Sequence, residues 1–245
     1  MSDQVYYKVL GDDGVCCHGG SGRWNTDGSW MPVVHGGLSP CVRGYHLCRA
    51  ADLVEWLGPV IWVAEGRGKS FLSGQYQIFQ EARLVHPMEG WNPTVAREFA
   101  VVCAERALPV LEMALPEETR VGEALAKARE LLENSGNVAE AQWIAAGAWS
   151  ASRLVDGAAR DAAIAAYGAL AWNSAGMAAW AAAGSARSAL AAAAWESAMA
   201  EAKAQGIHPR DAERTANGVS AATLNAERAW QTAHLFTLLK PPVGE

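Results

Sequence analysis

Three clusters of residues near the front of the chain have the types needed for chemistry. Gly66-Arg67-Gly68-Lys69-Ser70 carries the Gly-Lys-Ser ending of a phosphate-binding loop, in which backbone amides and the lysine cradle a nucleotide's phosphates. That motif needs a glycine five positions before Gly68, where this chain has Val63, and Phe71-Leu72-Ser73-Gly74 is a poor helix start. The stretch therefore reads as a solvated turn between strands. Cys16-Cys17-His18 and Cys41, His46 and Cys48 supply enough ligands for a zinc ion by residue type alone. Adjacent cysteines on a strand point to opposite faces, and neither cysteine pair has the spacing that zinc sites use. Small buried thiols are the better reading. His18-Gly19-Gly20-Ser21-Gly22-Arg23 offers backbone N–H groups and a guanidinium to an anion, but without a helix start behind it a surface loop is favoured.

Loops held by a rigid scaffold remain the places where contacts are made. Arg23, Trp24, Trp30, Arg43 and His46 are accordingly the candidate binding residues. No local pattern of nucleophile, base and orienting acid announces catalysis. No metal and no cofactor is expected. His208 and His234 stand alone in sequence and read as structural or exposed residues.

These side chains must be positioned by a front part rich in β-formers. Val5-Tyr6-Tyr7-Lys8-Val9-Leu10, Gly44-Tyr45-His46-Leu47-Cys48, Val60-Ile61-Trp62-Val63-Ala64-Glu65 and Tyr76 to Val85 predict strands. Val15-Cys16-Cys17 would return after the Gly11-Asp12-Asp13-Gly14 turn as a hairpin partner of the first. Ala51 to Trp56 predicts one or two helical turns. At Asn92-Pro93 the pattern changes, with Asn92 as a helix cap and Pro93 in the first turn. Helices follow to about Leu115, where Pro109 should kink or divide the first. The next runs from Pro116-Glu117-Glu118 to Asn134-Ser135-Gly136, and another from Asn137 to about Leu154, with Asp156 capping its successor. Breaks are predicted near Asn173-Ser174 and Gly184-Ser185, then a last helix from Pro209 to Leu239, interrupted at Asn217-Gly218, before Pro241-Pro242.

Between Val138 and Gln205, 30 of 68 residues are alanine, with Trp143, Trp149, Trp172, Trp180 and Trp195 set among them. Alanine is the best helix former and lets helices approach closely. The tryptophans are expected to supply the missing bulk in the core. The fold class is α+β: a small β-rich module over residues 1–91, an all-α bundle over 92–240 and a tail at 241–245. Ala162 to Ala186 carries no charge over 25 residues, but it is mostly alanine and reads as buried helices and not as a membrane span.

The 245-residue chain carries a net charge of −6, which disfavours nucleic acid as a partner because no basic surplus exists to displace counterions. Five cysteines and Met1-Ser2-Asp3-Gln4 without a secretory pattern point to the cytoplasm with reduced thiols. Self-association into an oligomer stays open.

Phe99-Ala100-Val101-Val102-Cys103-Ala104-Glu105-Arg106-Ala107-Leu108-Pro109-Val110-Leu111-Glu112, with the helices after it, resembles the immunity proteins of bacterial polymorphic toxin systems. The resemblance implies an all-α unit that binds and neutralises a toxin, and it brings no catalytic residues. Tyr7-Lys8-Val9-Leu10, Gly44 to Cys48 and Ile61 to Glu65 resemble an uncharacterised module found before alanine- and tryptophan-rich tails in bacterial and phage proteins. The expected function is that of a non-enzymatic protein-binding inhibitor, for toxin immunity or phage counter-defence. The alternative is a small-molecule or nucleotide binder. Its enzymatic version loosely resembles ADP-ribosyltransferase-like β domains and would need Glu65 or Glu81 as its cleft acid.

Overall fold

The computed structural model describes residues 5–20, 22–133, 138–171 and 174–239. Among these, four antiparallel strands come first: β1 (Tyr6–Leu10), β2 (Tyr45–Arg49), β3 (Val60–Ser73) and β4 (Tyr76–Pro87), with a 3-10 turn at Ala50–Glu55 between β2 and β3. They close into a barrel in the order β1-β2-β4-β3. Side chains alternate between the two faces of each strand, and both faces are buried in part. Leu10, Leu47, Ala64, Ala82 and Leu84 turn into a small cluster with Trp24 and Phe79. Tyr7, Val9, Cys48 and Ile61 turn the other way, into a large cluster shared with the helices.

The expected hairpin partner at Val15-Cys16-Cys17 is reduced to a single bridge, Val15 to Arg23, because β2 and β3 already occupy both edges of β1. The Gly66–Ser70 stretch is not a turn. It lies inside β3, paired along β4 on both sides of an irregularity. Gly66 is needed there because a Cβ at that position would stand 2.4 Å from the Phe79 ring.

Six helices follow among the described residues: α1 (Pro93–Ala114), α2 (Arg120–Glu133), α3 (Val138–Ser152), α4 (Gly157–Ala171), α5 (Ala175–Ala204) and α6 (Pro209–Leu238). Asn92 caps α1 as predicted, accepting from the Thr94 and Val95 N–H groups. Pro109 does not divide α1, whose Ala107, Val110 and Leu111 stay buried on either side of it. The second helix starts at Arg120, after a turn, and not at Pro116. Neither Gly184-Ser185 nor Asn217-Gly218 interrupts its helix. The stops expected at residues 134–136 and 241–242, the start at Asn137, and Trp172 and Asn173 fall outside the described residues; Ser174 stands at the N-terminus of α5.

α5 runs against α1, α4 and α6, along a buried row of Ala178, Ala179, Ala182, Ala183, Ala186 and Ala189. Each buried methyl contributes only about 0.8 kcal/mol, so stability here depends on close approach over a long contact. At Gly168 of α4 an added Cβ would meet the Ala182 nitrogen of α5 at 3.1 Å. The tryptophans do not fill this core. Trp143 is 82% exposed and Trp149 45%. Trp180 and Trp195 lie half-buried at seams, where their indole N–H groups reach the Glu55 carbonyl and Asn217 Oδ1 at 2.9 Å. An indole has to keep its N–H partnered, whereas alanine has nothing to satisfy.

The large apolar cluster crosses from barrel to helices without a gap. Tyr7 meets Phe236 at 5.9 Å between ring centroids, and Trp91 Nε1 donates to the Gly58 carbonyl at 2.9 Å. Among the described residues no helix is long and apolar enough to cross a membrane.

Candidate functional site

The irregularity in β3 builds an open concave feature on the barrel. Arg67 pairs with Glu81 and Ser70 with Phe79, so Gly68 and Lys69 together oppose Gln80. Such a bulge bends the strand and re-aims its side chains. Gly68 takes φ +78°, a left-handed conformation that favours glycine. Gln80 ties this bulge to the loop that faces it. Its Oε1 accepts from the Lys69 N–H at 3.3 Å, its Nε2 donates to the Val34 carbonyl at 3.3 Å, and its own carbonyl accepts from the Val34 N–H at 3.0 Å.

The facing loop is shaped by a reciprocal pair of hydrogen bonds between Ser39 and Arg43, both 2.9 Å. At its tip Cys41 takes φ +57°, and its N–H donates to His46 Nε2 at 3.1 Å. Gly44, at φ +124°, lets the loop close on β4, since a Cβ there would lie 2.4 Å from Ile78. Between loop and bulge opens a cleft of about 440 Å³, with His35, Gly36, Gly37 and Leu38 on one wall and Lys69, Ser70, Phe71 and Gln80 on the other. The Arg43 guanidinium borders the same wall, 2.9 Å from where a Cβ on Gly36 would stand. Val33, Val42, Phe71 and Leu72, in the same loop and strand end, are 42, 79, 38 and 51% exposed.

Of the five residues expected to form a contact surface, Arg43 stands at this cleft and His46 sits beneath its loop. His46 is held in one neutral tautomer: Nδ1–H donates to the Gly44 carbonyl at 3.0 Å, Nε2 accepts from Cys41, and the ring packs on Tyr76. Burial, and then the nearby Lys8 charge, push its pKa below the ordinary 6.5. The unfolded chain then binds the extra proton first as the pH falls. His46's contribution is whole above 6.5 and lost as the pH drops from there towards the lowered folded value. The protection factor of the Cys41 amide, its exchange rate referred to the intrinsic rate at each pH, should fall over that interval with a midpoint below 6.5, when followed by hydrogen exchange between about pH 7 and pH 5. A midpoint above that value would exclude His46 as the group that holds the Cys41 amide.

The other three lie elsewhere. Trp24 is 6% exposed in the small barrel cluster, under Lys8, and offers no contact surface. Trp30 covers a ladder of two cross-strand ion pairs, Arg67–Glu81 and Arg83–Glu65, each 2.7 Å, with the guanidinium carbons 3.9 and 5.0 Å from its ring centroid. Arg23 pairs with Asp13 and donates to its carbonyl, stapling the loop after β1. His18 is structural as well, bonded to the Leu57 carbonyl at 2.8 Å and packed against Trp56 and Trp180.

Sequence reasoning does not bring Lys69, Ser70, Phe71, Gln80 or His35 to a site. Lys69 falls in a stretch that reads as a turn, although one signal for it is legible. Residues 34–44 and 66–80 contain no aspartate or glutamate, unusual in a chain with 26 acids.

Three of the five thiols are held back from reaction by burial. Burial pushes the Cys48 thiol up to about 12 and raises Cys103 and Cys17, the reverse of what a thiolate nucleophile needs. Glu65 and Glu81 are each occupied by an arginine. Among the described residues no group of three His, Cys, Asp or Glu side chains is placed to hold a metal ion. Comparison with protein-family models, curated proteins and solved structures finds no match to this chain.

Proposed function

We propose that this chain is a non-catalytic binding protein that engages and inhibits a protein partner through the cleft-bearing end of its barrel, as a toxin-immunity or phage counter-defence protein would. The observation that carries this reading is the combination at that end: exposed Phe71, Leu72 and Val42 beside a cleft lined by Lys69. Exposed apolar side chains rimmed by polar groups mark interaction surfaces. The cleft's volume falls in the range of small-molecule sites, but such sites enclose their ligand in apolar walls. Here Leu38 and Phe71 share the walls with His35, Lys69, Ser70 and Gln80, and exposed Leu72 and Val42 lie outside the lining, where they meet a surface.

A photo-crosslinking residue at Phe71, with a control at the exposed Val219 on α6, tests the proposal in the native host. One discrete protein adduct is expected from position 71 and none from 219, and the captured protein should lose activity when the purified chain is added. Equal labelling from both positions, or thermal stabilisation by nucleotides without any adduct, would overturn the reading.

A further inference from the structure

The chain is acidic overall, with a net charge of −6, yet its cleft end has the opposite character. The two segments that form the cleft, 34–44 and 66–80, carry His35, Arg43, Arg67 and Lys69 and no carboxylate. Arg67 is neutralised by Glu81 at 2.7 Å. Among the described residues, the side chains of Lys69 and Arg43 make no ion pair and no hydrogen bond. Ser70 Oγ accepts from Gln77 Nε2 at 3.1 Å, which leaves its own proton free to donate. Gly37 presents open backbone, with nothing within 4 Å of where a side chain would stand. These are donors and cations awaiting acceptors, next to the exposed ring of Phe71.

We infer that the cleft docks an acidic protein segment: a stretch of aspartate or glutamate carrying a large apolar side chain, its carboxylates paired with Lys69 and Arg43 and its apolar group laid on Phe71. The inference rests on the binding reading above and names the chemistry of the partner's contact segment. Charge complementarity selects it, because unpaired cations at a rim attract and orient an anionic partner. The apolar rim favours a peptide over a nucleic acid, whose binding would also oppose the chain's overall negative charge.

The test uses the full chain and a fluorescein-labelled peptide of alternating glutamate and leucine, with the glutamine-for-glutamate peptide as control. Inorganic phosphate and a single-stranded oligodeoxynucleotide serve as competitors. Lys69→Gln and Arg43→Gln should each weaken the acidic peptide by roughly fivefold, and raised salt should weaken it further. Phe71→Ser should weaken both peptides alike. Since Lys69 and Arg43 have no partners to lose, their variants should melt where the parent does. Equal binding of the glutamine peptide, binding unchanged when Lys69→Gln and Arg43→Gln are combined, or displacement by phosphate or the oligonucleotide at lower concentration than the unlabelled peptide overturns the inference. If the acidic peptide fails while the crosslink at position 71 still captures one protein, the partner's chemistry is wrong and the binding reading stands. Peptide binding with no protein crosslinked at position 71 supports the acidic-segment chemistry and overturns the inhibitor reading.

Discussion

Alanine at Gly176 should lower the stability of the folded chain by about 3 kcal/mol, although the same exchange within a solvated helix gains about 1 kcal/mol. The sign reverses because of what lies across the interface. A Cβ at Gly176 would stand 2.0 Å from the Gly58 oxygen, 2.2 Å from its carbonyl carbon and 2.7 Å from the Pro59 nitrogen. All three are backbone atoms, so no side-chain rotation relieves the clash. Gly58 cannot retreat easily either. Its carbonyl holds Trp91 Nε1 at 2.9 Å, and an ideal Cβ on Gly58 would itself lie 2.7 Å from Val9, so the loop is pressed between strand and helix. α5 would have to withdraw, stretching the Trp180 bond to the Glu55 carbonyl. Gly218→Ala on α6 supplies the control, because nothing lies within 4 Å of that position and it should stabilise by up to about 1 kcal/mol. Urea unfolding followed by tryptophan fluorescence reads both. Stabilisation at position 176 equal to that at 218 would mean that the barrel and α5 do not meet backbone to backbone.

That contact is out of reach of sequence reasoning, and the reason is general. Gly58 and Gly176 each look like punctuation, a loop glycine and a helix-end glycine, and only their juxtaposition gives them a packing role. The strands β1, β2 and β4 and the Asn92-Pro93 start of α1 are legible, because alternation, β-branched residues and caps act locally. The second half of β3 is not. Gly66, Gly68 and Ser70 have low strand propensity, and only β4's supply of backbone partners outweighs it. The unbroken α5 follows the same logic. Gly184-Ser185 has no proline or competing cap, and the alanines around it are buried against neighbouring helices, so tertiary packing outweighs the local signal. At the cleft, Arg43 is legible because it lies in a loop. Lys69 is hidden because the glycines and serine around it have the local character of a turn. Bringing segments 34–44 and 66–80 together requires β4, which pairs with β2 on one side and β3 on the other.

A polar chain runs through the middle of the protein, from α1 and α6 through α5 to the turn after β2. Arg106 on α1 donates to Glu227 on α6 through Nε at 3.0 Å and Nη2 at 2.7 Å, and Gln231 Nε2 donates to Glu227 at 3.3 Å. Arg187 on α5 donates to the Gln231 side-chain oxygen and, at 2.7 Å, to Glu55 in the 3-10 turn after β2. The Arg187 side chain is only 6% exposed, and its burial draws its pKa down against the opposing pull of Glu55. Arg187→Ala should therefore cost about 3 kcal/mol, because it leaves the partly buried Glu55 carboxylate and the buried Gln231 oxygen without their donor. Glu55→Ala should cost a comparable amount, since it leaves the more buried partner, Arg187, without a carboxylate and with only the Gln231 oxygen to accept from it. Replacing the pair together, Arg187→Met with Glu55→Met, should lose much less than the sum of the two methionine variants measured singly, because no uncompensated charge is then left inside. Additive losses in that cycle would show that the two side chains are not coupled. The double variant also separates stability from placement. If it stays folded but its cleft binds the acidic peptide more weakly, the ion pair is what orients the barrel on its helical base. Unchanged binding would mean that the shared apolar cluster does so alone.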